Sequence, residues 1–219
     1  MRKLFDIENP VFQLLARMTD LVVLGLICLV CCVPVATIGP AVTALFKAVY
    51  DLTIERGGGI LKIYFRAFRM NFKQAIVVWL LALVGFTSLF CDWFLLKLYF
   101  QGTSYTVLAW TVLVFALALV GFLCYIFPLI ARYENALREH ARNAAILMIR
   151  YFPRTLLMVL IQMLPLLMLL YMPYAMMQTL LFWILFYLGF AAQAKAFILQ
   201  PVFNRLEAKP EDAETQEEA

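Results

Sequence analysis

The chemistry this chain could do rests on few residues: one histidine, a cysteine cluster, a run of glycines and some charges inside apolar runs. His140 is a candidate general acid or base, or a metal ligand. It stands alone beside Glu139 in a charged stretch, so the expectation is a solvated surface imidazole. Cys28-x-x-Cys31-Cys32 has the spacing of a soft-metal or redox pair, but no second pair, histidine or carboxylate stands near it in sequence. These three, with Cys91 and Cys124, lie inside apolar runs and read as small hydrophobes. Gly57-Gly58-Gly59 lacks the Lys-Ser/Thr that lets a glycine loop cradle a phosphate, and reads as a helix break. Neither Gly-x-Ser-x-Gly nor His-Glu-x-x-His occurs. The expectation is a protein that is not an enzyme, with no catalytic residue, cofactor or metal.

Charges within apolar runs carry more weight, because a buried charge is costly and usually faces a partner or a water-filled path. Lys47 and Asp51 are four apart, on one helix face, and can neutralise each other. Asp92 falls near the end of its run. Lys195 shares its run with Gln193 and has no acidic neighbour in sequence. It either meets a solute or partner, or snorkels its ammonium to an interface. Both readings stay open.

The elements that must position these residues are membrane helices. Hydrophobic residues make up 65% of the 219 and charged ones 15%, and the mean hydropathy is +0.88, all far from soluble norms. The expected fold class is all-α: a polytopic transmembrane helical bundle of about six spans, with five as the alternative, and amphipathic cytoplasmic helices. Residues 1–204 form one transmembrane domain, and 205–219 an acidic, disordered cytoplasmic tail.

Residues 1–19 read as a short interfacial helix, after which Asp20 caps a span running to Pro34. Thr37-Ile38-Gly39-Pro40 reads as a break, and Ala41–Thr53 as a second span. In the next stretch Leu61, Tyr64, Phe65, Phe68 and Phe72 form one stripe and Lys62, Arg66, Arg69 and Lys73 the other, which predicts a helix lying flat on anionic lipid. Spans follow over 75–94, 105–130, 156–172 and 180–203, with a polar turn at 101–104 and a kink at Pro165.

With six spans nearly every basic residue outside them falls on one side, which predicts both termini cytoplasmic. A parallel internal repeat over about 40–95 and 120–172 points the same way. Ala48-Val-Tyr50-Asp51 leads to Phe72-Lys-Gln74 and a span, and Ala131-Arg-Tyr133-Glu134 leads to Phe152-Pro-Arg154 and a span.

Thr19–Leu45 and Phe65–Ala75 resemble the YesL-like family of bacterial membrane proteins, a family whose function is unknown. The likeness is most specific at Pro34-x-x-Thr37-Ile38-Gly39-Pro40 and over Phe68–Gln74, and covers most of the chain to about Arg205. It implies a bacterial inner membrane and a frequent neighbourhood with carbohydrate uptake. It implies no site residues. A second, looser likeness concerns the loop between spans. Glu134-x-Ala136, with Pro153 nineteen residues beyond the Glu, is similar in spacing to the cytoplasmic loop by which permeases of ABC importers engage their ATPase. Here Asn135 replaces an Ala, His140 a Gly, and Phe152 precedes the Pro. The plainer reading of that loop is an amphipathic helix with Leu137, Ala141, Ala144 and Met148 as its apolar stripe and Glu134 paired with Arg138.

The expected function is a non-enzymatic accessory or regulatory component beside a carbohydrate-uptake system; the alternative is a permease-like subunit coupled to an ATPase through 134–153. Lys62, Arg66, Arg69, Lys73, Glu134, Arg138 and Arg142 are the expected contacts to a partner or to anionic lipid. The expected partners are the bilayer and components of an ABC-type sugar transporter, with a homo-oligomer open and no nucleic acid.

Overall fold

The computed structural model describes residues 10–53 and 59–207, and among these every regular element is helical. α1 spans Pro10–Cys31, α2 Ile38–Thr53, α3 Ile60–Tyr99, α4 Gly102–Arg132, α5 Leu137–Arg150, α6 Phe152–Tyr171 and the short α7 Pro173–Gln178. The last, α8, runs Leu180–Glu207, with Trp183–Tyr187 wound as a π-helix before α-helical geometry resumes. The segments Val35–Leu52, Ile60–Tyr99, Gly102–Arg132, Phe152–Tyr171 and Leu180–Glu207 are five helical stretches long and apolar enough to cross a membrane. α1 is not among the five, yet Leu24 and Cys28 on it are completely buried.

Several boundaries differ from the expected ones, each for a local reason. α1, described from Pro10 on, is continuous through Thr19 and Asp20, and the Thr19 hydroxyl donates to the Leu15 carbonyl inside the helix. Asp20 therefore caps nothing. The break after α1 falls at 32–37, with Gly39 and Pro40 already in the first turn of α2. There the Thr37 hydroxyl lies 2.6 Å from the Cys31 carbonyl and 2.8 Å from that of Pro34, and the Trp79 indole donates to Val35 at 2.6 Å. The turn before α4 is only Phe100–Gln101, made possible by Gly102 at φ 68°.

The amphipathic stretch 60–73 is not a separate helix. It is the first part of α3, which is unbroken for 40 residues. At 1.5 Å per residue that is about 60 Å, twice a ~30 Å hydrocarbon layer. The cause is packing on α2: Tyr64 and Ala67 are buried, and the Tyr64 hydroxyl donates to Ala41. A Cβ on Gly39 would lie 2.5 Å from the Ala75 carbonyl oxygen, so only glycine permits this approach.

α8 closes the bundle against α1. A Cβ on Gly189 would fall 2.1 Å from the Leu21 carbonyl oxygen and one on Gly25 3.1 Å from the Gly189 nitrogen, so two glycines face each other at the crossing. α6 continues through Pro165, which frees the carbonyl of Ile161. The Tyr187 hydroxyl of α8 donates to that carbonyl at 2.9 Å, which is the compensation a membrane helix needs. Arg205–Glu207 belong to α8 and not to a disordered tail. The expectations for Gly57 and Gly58, for the start of the interfacial helix over residues 1–9, and for the rest of the tail lie outside the described residues.

Candidate functional site

Four of the charged residues singled out in the sequence meet at one place. α2 supplies Lys47 and Asp51, α3 supplies Arg66 and Asn71, and the end of α4 with its following link supplies Arg132, Tyr133 and Glu134. Together they line a cleft of about 290 Å³, with Ile63, Ala67, Met70 and Ile130 among its other lining residues. Lys47 and Asp51 are half-buried and 3.9 Å apart, an ion pair at the outer limit of contact. Arg66 and Glu134 are exposed.

Arg132 holds the cleft's rim. Its guanidinium makes two hydrogen bonds to the Glu207 carboxylate, both 2.9 Å, tying the end of α4 to the end of α8. Three aromatic rings surround it, with centroids 5.0 Å (Phe203), 5.5 Å (Tyr50) and 6.0 Å (Tyr133) from its central carbon. This is the planar, forked recognition that arginine makes and lysine does not. The Tyr133 hydroxyl donates to Glu207 at 2.8 Å. Burial, and then the neighbouring carboxylate, push this phenol above its ordinary range, so it stays a donor.

The sequence overlooked Arg132 and Glu207 as a pair because they are 75 residues apart. A signal was present in the two repeat motifs. Tyr50-Asp51 and Tyr133-Glu134 converge here: both acids line the cleft, and both tyrosines meet Phe203 edge-on, at 6.0 and 5.8 Å.

The remaining candidates lie elsewhere. Lys62, Arg69 and Lys73 are exposed along α3, and Arg138 and Arg142 along α5. The expected Glu134–Arg138 pair does not form, because Glu134 sits in the non-helical link ahead of α5. The ion pairs among the described residues are Lys47–Asp51 and Arg132–Glu207. Asp92 is exposed near the end of α3. Lys195 is buried and donates to the Gln162 side chain of α6, a partner no sequence pattern announced. That contact gives Lys195 a polar neighbour inside the chain.

His140 is the clearest reversal. It is 1% exposed on the inner face of α5 with Ala144 and Leu147, and neither ring nitrogen has a hydrogen-bond partner. Burial pulls its pKa below the ordinary value, against a smaller opposing pull from Glu139. The apolar stripe of α5 is otherwise as expected, with Leu137, Ala141 and Met148 partly buried beside Ala144. Cys28 and Cys124 are buried; the Cys28 and Cys32 sulfurs lie 4.0 Å apart, one helical turn from each other.

No curated protein and no solved structure matches the chain. Residues 19–93 match the model of a family described as a protein of unknown function, DUF624, a stretch that begins within α1 and takes in the 32–37 elbow, α2 and most of α3.

Proposed function

We propose that this chain is a non-enzymatic integral protein of a bacterial inner membrane that acts as an accessory or regulatory component beside a carbohydrate-uptake system. The observation that carries the reading is a pair of unneutralised cationic faces. Lys62, Arg66, Arg69 and Lys73 on α3 and Arg138 and Arg142 on α5 are all exposed, and none is in an ion pair among the described residues. Cations displayed in this way suit an acidic partner surface or anionic lipid. The resemblance to YesL-like proteins supplies the carbohydrate setting and the inner membrane.

A second reading, a permease-like subunit, is favoured by α5 itself. It is a discrete helix between two spanning helices, and its outer face carries Arg138, Arg142, Ile146 and Ile149. One experiment separates the two: gentle purification from native membranes with photo-crosslinking from single cysteines at Arg69, Arg138 and Arg142. The accessory reading expects a transport or sensor component in stoichiometric amount, crosslinked at Arg69. An ATPase crosslinked at Arg138 and Arg142 overturns it in favour of the permease, and lipid adducts alone overturn both.

A further inference from the structure

We infer that the cleft between α2, α3 and the α4–α5 link is a binding site for a small zwitterion, one carrying a phosphate or carboxylate and a primary ammonium a few bonds apart. This goes beyond the reading above and does not depend on it. The argument rests on charge. Arg132 is already neutralised by its two hydrogen bonds to Glu207. That leaves two cations, Lys47 and Arg66, and two carboxylates, Asp51 and Glu134, lining the cleft, and their sum is zero.

Lys47 and Asp51 already face each other, so a simple anion placed there would leave Glu134 uncompensated, and a simple cation would leave Arg66 so. A ligand with both signs meets each with its complement. The site is poised for exchange. Lys47 and Asp51 are 3.9 Å apart, too far for a closed hydrogen bond, so a ligand can take over either partner. Among the described residues Glu134 has no ion-pair partner, and neither has the forked guanidinium of Arg66.

The ammonium must carry N–H, as a primary one does three times over, because a carboxylate takes N–H donors and a quaternary ammonium has none. Size agrees. A cleft of about 290 Å³ is large enough for a phosphoethanolamine group. The place agrees as well. The cleft lies where α4 ends and the charged link begins, where the headgroup of a lipid or a free amine of the same chemistry could reach it.

The test uses the full chain in mild detergent, read by native mass spectrometry. Phosphatidylethanolamine, phosphatidylglycerol and phosphatidylcholine are offered in equal amounts, and soluble phosphoethanolamine is offered separately. Retention of phosphatidylethanolamine about tenfold above the other two is expected, as for one charge-assisted hydrogen bond. Glu134→Gln and Arg66→Gln should each abolish that preference. Arg69→Gln, on the same helix but outside the cleft, should leave it intact.

Displacement of the lipid by soluble phosphoethanolamine, or binding of that compound alone, supports a free zwitterion as ligand; a preference it cannot displace supports the lipid headgroup. Equal retention of the three lipids with no phosphoethanolamine bound overturns the inference. So does a preference that survives both glutamine substitutions. Neither result bears on the crosslinking partner.

Discussion

His140 shows how a residue's environment reverses its apparent chemistry. Read along the chain it is one polar residue among charges, but α5 turns it inward with Ala144 and Leu147. Its folded pKa lies below the unfolded value, so the unfolded chain binds the proton more readily. Stability is therefore full above the ordinary imidazole pKa of about 6.5 and declines as pH falls through that value toward the depressed one. Thermal midpoints in detergent should fall between pH 7 and pH 5, and His140→Leu should flatten that slope. An unchanged slope would place the titration elsewhere. Arg132 gives a second expectation. Arg132→Lys keeps the charge but loses the fork to Glu207 and the fit among three rings, so unfolding should come about 1 kcal/mol earlier. Glu207→Gln should cost less in that background than alone, because the fork it answers is already gone, while the loss of a carboxylate acceptor for the Tyr133 hydroxyl is common to both.

Among the elements, helix identity was legible in the apolar runs, while helix ends and fusions were not. The alternation of cations and aromatics over 60–73 announced an amphipathic helix correctly. It carried no sign that this helix continues into the next span, because that depends on Gly39, whose missing side chain lets Ala75 and Trp79 close in. Gly39→Ala should cost about 1–3 kcal/mol by overpacking, read as a lowered thermal midpoint. Gly59→Ala, with nothing within 4 Å of the added carbon, should cost far less. Pro165 was legible as an exception, but its compensation by Tyr187 comes from another helix and no periodicity encodes it. Tyr187→Phe leaves the Ile161 carbonyl without that donor and should cost about 1–3 kcal/mol by the same assay. The cleft was half legible for the same reason. Lys47, Asp51, Arg66 and Glu134 stood out by charge, whereas the Arg132–Glu207 tie required the far end of the chain.

For the whole molecule, the length of α3 sets a testable geometry. If its second half spans the membrane, its first half stands clear of the apolar layer. Cysteines placed at Lys62 and Arg69 should react with an impermeant maleimide in opened vesicles, while cysteines at Leu81 and Val84, both exposed on α3, should stay protected by lipid. Equal reactivity at all four would place the whole of α3 outside the membrane. The glycine crossing between α1 and α8 reaches further, into the life of the chain during synthesis. Gly25 and Gly189 are 164 residues apart (189 − 25), so at ~5–20 residues per second the first helix waits roughly eight to thirty seconds for its partner. Until then the surface around Leu21 and Gly25 lacks the neighbour it is shaped for. A chain cut short before Leu180 never gains that neighbour, and the seam on α1 stays open.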